Sequence, residues 1–189
     1  MKSKFFISNS LMLKQKLLIL LSLYNNIVIM RKISNPFVGK EGYNCFGCCE
    51  GNPVGIHMTF YEDGDDVVSF WKPQPAYQGW VDTLHGGIQG TMLDETAAWV
   101  VFRKLQAIGV TTKLEVRYHK PVKTTDLQLT LRGHIVEQKR NLVTIDLTLE
   151  NSRGTVCTTA RAVYYVYDKE RSKEMGFEGC GLEGDELLL

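Results

Sequence analysis

The chain contains 189 residues, with 22 lysines and arginines against 21 acidic residues, and 44% of its residues are hydrophobic. This composition is typical of a globular protein of one domain. It excludes disordered, collagen-like and low-complexity chains, and it also excludes a strongly basic nucleic-acid-binding protein. Because a formal net charge of +1 gives no attractive field over the whole surface, binding of phosphate groups would need a local basic cluster.

The first 29 residues form a segment that differs from the rest of the chain. The apolar run over residues 17–23 resembles the hydrophobic part of a secretory signal, but Tyr24 and two asparagines interrupt it and no small-residue cleavage site follows. The run is also too short to span a bilayer, so no membrane association is expected. Since Met30 is followed by two basic residues, we expect the domain to begin at Met30, with residues 1–29 a disordered extension or a mis-assigned start.

The cysteines indicate a reducing compartment. There are five, and three of them lie together as Cys45, Cys48 and Cys49. An odd number crowded in this way is not a secreted disulfide framework. A single Cys-x-x-Cys supplies only two of the four ligands that structural zinc usually takes, and no second pair follows. We therefore expect buried or turn cysteines in a cytoplasmic protein, and no metal site.

The first regular pattern begins after Gly55. Hydrophobic and polar residues alternate over residues 56–61, which predicts a strand with one buried face. The acidic, glycine-containing residues 63–66 predict a turn, and residues 67–71 predict the returning strand of a hairpin.

A long apolar segment between Gly79 and Gly109 predicts a helix of about five turns that is buried on most sides. Two adjacent glycines, Gly86 and Gly87, mark its start, and Gly109 is expected to mark its end. Arg103 and Lys104 lie near its carboxyl end, where the helix dipole favours cations.

Four strands are predicted after the helix, near residues 110–119, 127–138, 142–151 and 155–167. Short connections between the last three favour antiparallel hairpins, and polar residues alternating with apolar ones over 143–149 predict one inward-facing side. The expected fold class is α+β, with a curved antiparallel sheet around one central helix and a meander of four strands. Residues 30–167 would form this domain, and residues 168–189 an acidic, solvated C-terminal tail.

Asp94 and Glu95 are the only charged residues between Thr83 and Phe102. Burying an ionised carboxylate without partners costs several kcal/mol, so two adjacent acids in an apolar helix indicate a function. The unpaired backbone N–H groups at Gly86 and Gly87 suit an oxyanion. Asp94 is about 10–12 Å further along the same helix, too far to act with them in one subunit. Two helices packed antiparallel across a two-fold axis would bring the groups together.

These residues carry a resemblance to a known family. The segments LHGGI (84–88) and LDETA (93–97) resemble the motif of hotdog-fold thioesterases of the phenylacetate-degradation, or PaaI-like, type. The similarity extends over residues 42–167 and includes NCFGC (44–48), NPVGI (52–56) and LEVRYHKP (114–121). It implies a hotdog fold and hydrolysis of an acyl-CoA thioester by a homodimer, or by a dimer of dimers, with active sites between subunits.

The resemblance also implies roles for single residues. Asp94 would activate water or attack the thioester directly, and the backbone N–H of Gly86, with Gly87 beside it, would polarise the thioester carbonyl. His85 is expected to fix the loop by hydrogen bonds rather than to act as the base, and Glu95 is a second candidate acid. Catalysis of this kind suits a thioester, because a thiolate leaves without strong acid assistance.

Two positions depart from the family pattern. Many relatives carry an asparagine or glutamine where this chain has Gly79, so Gln78 is the candidate donor to the substrate. The nearest match to a polar residue that positions water or substrate on the next strand is Thr111, with Thr112 as its neighbour. Basic residues on a strand and in turns are candidates to meet the phosphates of coenzyme A: Arg117, Lys120, Lys139, Arg140 and Arg153.

No nucleotide-binding motif or metal-ligand cluster occurs, so no cofactor is expected apart from coenzyme A as part of the substrate. Two other functions stay open. The first is a hydratase or dehydratase acting on an enoyl thioester, in which His85 and Glu95 would form the acid–base pair. The second is a non-catalytic module that binds acyl-CoA.

Overall fold

The computed structural model describes residues 30–185. They form one long helix, one short helix and nine strands. The strands are β1 Arg31–Lys32, β2 Phe60–Asp63, β3 Asp66–Trp71, β4 Gln78–Trp80, β5 Thr83–Leu84, β6 Gly109–Tyr118, β7 Leu129–Lys139, β8 Leu142–Glu150 and β9 Val156–Val166. The helices are α1 Gly86–Val100 and α2 Lys169–Glu174. The predicted extension over residues 1–29 lies outside the described residues.

Seven strands form one antiparallel sheet in the order β1-β2-β3-β7-β8-β9-β6. The prediction of a four-strand meander was wrong in one respect, because only β7, β8 and β9 follow one another in space. The first strand after the helix, β6, pairs with β9 and lies at the end of the sheet. One edge of this strand therefore has no neighbour among the described strands.

The central helix is longer than its α-helical part. A π-helical turn, Val101–Leu105, continues α1, so the whole helix covers 20 residues, in agreement with the predicted five or so turns. The expected end at Gly109 was wrong: the helix ends at Gln106, whose φ of 51° is left-handed, and Gly109 already begins β6. Gln106 tolerates this conformation because its amide hydrogen-bonds to the backbone of Arg103 and Cys180.

The core lies between the helix and the inner face of the sheet. On β8, Val143, Ile145, Leu147 and Leu149 are buried and the polar residues between them are not, as predicted. The helix contributes Met92, Leu93, Ala97, Trp99 and Val100 to the same core. Burying one large apolar side chain stabilises the fold by about 1.5–3 kcal/mol. Packing against the sheet is therefore the main stabilisation of the helix. The expected α+β architecture, a sheet around one central helix, is confirmed.

The first hairpin is shorter than predicted. Strand β2 begins only at Phe60, although residues 56–60 alternate between buried and exposed as the pattern indicated. The preceding segment pairs instead with the cysteine loop, because the N–H of Ile56 donates to the carbonyl of Phe46 and that of Met58 to Gly47. His57, with a φ of 59°, breaks the strand geometry between them.

The prediction of a solvated C-terminal tail from Asp168 onward does not hold for residues 168–182. Asp168 caps α2, and beyond it Phe177, Cys180 and Leu182 are buried. The Phe177 ring packs against Phe102 of the central helix. Within residues 30–185, no helix has the length and hydrophobicity needed to cross a membrane.

Candidate active site

The start of the central helix is held by two side-chain contacts. His85 caps the helix, with its Nδ1 accepting a hydrogen bond from the backbone N–H of Gly87 at 2.9 Å. Tyr118 on β6 donates its hydroxyl to the carbonyl of Gly86 at 2.8 Å. The N–H of Gly86 has no hydrogen-bond partner among residues 30–185. Of the two glycines, Gly86 is therefore the one whose N–H is free to meet an oxyanion.

The structure gives a steric reason for glycine at position 79, where an asparagine or glutamine was expected. A Cβ at position 79 would lie 2.8 Å from Cδ2 of His85, so a side chain there would displace the capping imidazole. Gln78 is exposed and pairs in register with Leu84, just before the helix begins. Its place in the fold thus brings a polar side chain to the helix start from the neighbouring position.

Asp94 lies on the side of the helix that faces β6 and β9. Its Oδ1 accepts hydrogen bonds from the Thr111 hydroxyl at 2.7 Å and from the Tyr164 hydroxyl at 2.8 Å. Burial, with the neighbouring carboxylate, raises the pKa of Tyr164, so this phenol stays protonated and can only donate to Asp94. Two donors on one oxygen fix the carboxylate in place. In the described part of the chain, the other oxygen, Oδ2, has no hydrogen-bond partner.

The two threonines expected to act alike have different surroundings. Thr111 contacts Asp94, whereas the Thr112 hydroxyl donates to the carbonyl of Val163 on β9. The ladder between β6 and β9 shifts its register between Thr111 and Lys113, and this irregularity separates the two side chains. Thr111 therefore belongs to the site, and Thr112 is held by the sheet.

Glu95 points away from Asp94, as expected for consecutive helical residues about 100° apart. Its Oε1 accepts a hydrogen bond from the Trp99 indole at 3.0 Å. Both carboxylate oxygens lie 3.6 Å from the Cys45 thiol, which comes from the loop before β2. Hydrogen bonding with Cys48 lowers the pKa of Cys45 to about 7 although burial opposes it, and the same contact, with burial, raises the pKa of Cys48.

The basic residues proposed for the phosphates of coenzyme A do not form one cluster. Arg117 lies at the end of β6 near the helix start and forms an ion pair with Glu115. Arg140 is in the turn between β7 and β8. The next residue, Asn141, accepts a hydrogen bond from the N–H of Val166, and Val166 pairs with Gly109, so this turn lies next to the opposite end of β6. A strand of ten residues is about 33 Å long, so one phosphate group cannot contact both arginines in a single protomer.

Three of the contacts in and around the site could not be found in the sequence. Tyr164 and Tyr118 lie in strands where an aromatic residue is usually a packing residue. Cys45 is 50 positions before Glu95.

Comparison with known proteins gives a match to the thioesterase superfamily over residues 82–158. A search of curated proteins gives no match. A solved thioesterase superfamily protein is 23% identical with a TM-score of 0.56, and the alignment covers 60% of this chain and 56% of that protein. A hypothetical thioesterase from Streptococcus pneumoniae TIGR4, crystallised with coenzyme A, is 28% identical over 55% of this chain and 79% of its own, with a TM-score of 0.52.

The PaaI protein of the Escherichia coli phenylacetic acid degradation operon has the same fold. It is 15% identical, covers 60% of this chain and 81% of its own, and has a TM-score of 0.55. The antiparallel sheet and the one long helix of residues 30–185 agree with these likenesses. Residues 82–158, which include the central helix and Asp94, thus match the model of the thioesterase superfamily, and the domain around them has the hotdog fold.

Proposed function

We propose that this protein hydrolyses an acyl-CoA thioester to a free acid and coenzyme A, and that it does so as a dimer. The observation that carries the proposal is the hydrogen bonding of the Asp94 carboxylate. Two hydroxyl donors hold one of its oxygens, and the other oxygen has no partner among the described residues. A carboxylate with this geometry suits activation of water or direct attack on a carbonyl carbon.

The oxyanion partner of Asp94 would come from a second copy of the chain. Gly86 is eight residues before Asp94, which by helix rise puts the two about 12 Å apart within one protomer. The free edge of β6 and its row of exposed residues favour pairing with another strand. Antiparallel pairing of two copies at this edge would bring the helix start of one protomer toward the Asp94 of the other.

The chemistry follows from these groups. Asp94 takes a proton from water, the hydroxide adds to the thioester carbonyl, and the N–H of Gly86 stabilises the resulting oxyanion. Collapse of this intermediate breaks the carbon–sulfur bond and releases the thiolate, which takes up a proton to give free coenzyme A. Direct attack by Asp94 would give an anhydride that water then opens, with the same products.

The presence of coenzyme A in the pneumococcal neighbour supports this substrate class. The hydratase alternative has less support. His85 uses Nδ1 to cap the helix, and Glu95 is ten residues further along and faces the cysteine loop. By helix rise the two are about 15 Å apart, so one protomer does not assemble the required acid–base pair.

A thiol-release assay over short, long and aryl acyl-CoA substrates tests the proposal. We expect release of free thiol with at least one class, first order in enzyme, and loss of that activity in Asp94→Asn. An enoyl-CoA sample followed for hydration serves as the parallel assay.

Hydration without thiol release would favour the lyase. Binding of acyl-CoA with no thiol release from any substrate would favour a non-catalytic module. Either outcome would overturn the proposal.

A further inference from the structure

Outside the Asp94 site, three groups that bind metals meet on the other side of the central helix. They are the thiols of Cys45 and Cys48 and the carboxylate of Glu95, and their ligand atoms all lie within 4.8 Å of one another. The Cys45 sulfur is 3.6 Å from each oxygen of Glu95. In a tetrahedral zinc site with bonds of about 2.3 Å to sulfur and about 2.0 Å to oxygen, ligand atoms are about 3.5–3.8 Å apart.

The carboxylate of Glu95 lacks the partner that similar groups have. Some other half-buried carboxylates of the described chain face an arginine: Glu62 pairs with Arg103, and Asp63 with Arg132. Glu95 is half-buried and forms no ion pair with any residue of 30–185; its donors are the Trp99 indole and a thiol. A carboxylate removed from water is costly unless a positive charge compensates it, and a metal ion would supply that charge.

The ligands are held by rigid backbone. The carbonyls of Phe46 and Gly47, inside the Cys-x-x-Cys turn, accept hydrogen bonds from Ile56 and Met58 at 2.8 Å each. A Cβ at Gly47 would lie 2.5 Å from the Glu95 carboxyl group, so the loop approaches the helix as closely as a glycine allows. The loop and the helix thus present their ligands in a fixed relation, as a metal site requires.

The surroundings of Cys48 fit a coordinated thiolate. The Tyr43 hydroxyl is 3.0 Å from the Cys48 sulfur, and Asn35 in turn donates to this hydroxyl at 2.8 Å. Hydrogen bonds of this kind orient the ligands of metal sites. A cavity of about 310 Å³ also borders Cys48.

We propose that Cys45, Cys48 and Glu95 bind one zinc ion, with a water molecule completing a tetrahedron. Two thiolates and one carboxylate are a donor set that selects zinc over magnesium or calcium. Binding releases the two thiol protons to solvent and involves no redox change. The ion would fasten the loop over residues 43–58 to the central helix, one residue from Asp94, and the inference does not depend on the reaction at Asp94.

Metal analysis of the purified, reduced full-length protein tests this proposal. After incubation with zinc chloride and removal of excess ion, we expect about one equivalent of zinc per chain. Cobalt should replace it and give the visible absorption of a tetrahedral site with sulfur-to-metal charge transfer. Cys45→Ser and Cys48→Ser should lose the charge-transfer band and most of the bound ion.

Cys49→Ser is the matched control, because Cys49 adjoins the ligand Cys48 but its thiol points to the carbonyl of Tyr43. This variant should keep a full equivalent of zinc. Glu95→Gln preserves side-chain size and serves if a cysteine variant does not fold; it should bind zinc at least tenfold more weakly. Zinc should also raise the melting temperature of the wild type by more than that of Glu95→Gln at the same zinc concentration. The proposal would be overturned if the folded wild type binds no zinc, or if the wild type and Cys45→Ser bind equal amounts of zinc per chain.

Discussion

The two sides of the central helix place neighbouring carboxylates in opposite surroundings. Asp94 faces the edge of the sheet, where two hydroxyl groups hold one of its oxygens and the other has no partner among residues 30–185. Glu95 faces a loop, where two sulfur atoms and an indole surround it. The difference follows from the helical turn between consecutive residues, about 100°. Two adjacent acids in a sequence can therefore serve two purposes, one chemical and one structural, without sharing any partner.

The comparison predicts unequal effects on catalysis. We expect Asp94→Asn to lower kcat/KM for thiol release by about 10²–10⁴-fold, because the amide cannot take a proton from water. Glu95→Gln should lower it by less than tenfold, since this side chain reaches the loop and not the sheet edge. Steady-state rates with one acyl-CoA substrate measure both. Equal losses in the two variants would show that the two sides of the helix are not functionally separate.

The support of Asp94 predicts a second, smaller effect. Thr111→Val removes one of the two donors to Oδ1, and a carboxylate free to rotate should lower kcat by roughly tenfold to a hundredfold with little change in KM. Thr112→Val is the matched control, because its hydroxyl bonds to the backbone of Val163. A loss in the control as large as that in Thr111→Val would mean that the effect comes from the strand as a whole.

The loop side predicts a change in stability. Gly47→Ala puts a methyl group within 2.5 Å of the Glu95 carboxyl group and should lower the free energy of unfolding by about 1–3 kcal/mol. Combining it with Glu95→Ala removes the clashing atoms, so the double variant should be more stable than the sum of the single effects indicates. Chemical denaturation of the wild type, the two single variants and the double variant measures this coupling. In Gly51→Ala, the control, the new methyl group meets no close atom. Strict additivity in the cycle would contradict the proposed close approach.

A third carboxylate, Glu62 on β2, shows how an acid behaves when basic residues of the central helix pair with it. Burial opposes ionisation of Glu62, but hydrogen bonds from Arg103 and Lys104 outweigh it and lower the pKa of Glu62 below that of an ordinary glutamate. Its stabilisation should be complete above pH 4.5 and fade as the pH falls through the lower folded-state pKa. Glu62→Gln should cost about 1 kcal/mol of unfolding free energy at neutral pH. The difference from wild type should shrink below pH 4.5, and an unchanged difference at low pH would contradict the pairing.

Local patterns in the sequence predicted the last four strands to within two residues and the start of the helix at Gly86, whereas the helix ends at Gln106, three residues before the expected Gly109. These elements obey hydrophobic periodicity because one face of each is buried. The partner of β6 could not be predicted in this way, because strand pairing depends on contacts between distant parts of the chain. The C-terminal segment was misjudged for a related reason: its charges describe the exposed face of α2, while Phe177 and Leu182 fill the core.

The candidate site was predicted in part. Asp94, Gly86 and His85 were found because an acid inside an apolar helix and glycines at its start are conspicuous in a sequence. The thiol contacts of Glu95 were not found, because Cys45 approaches it only after the chain has folded. The basic residues also looked like one group in the sequence, although β6 separates Arg117 from Arg140.

The hydrogen bond from Tyr118 to the carbonyl of Gly86 links the outermost strand directly to the first residue of the helix. Whatever pairs with that strand therefore also steadies the amide that would receive the oxyanion. Diluting the protein until its copies separate should consequently reduce turnover per chain well before any folding signal changes, and high concentrations should restore it.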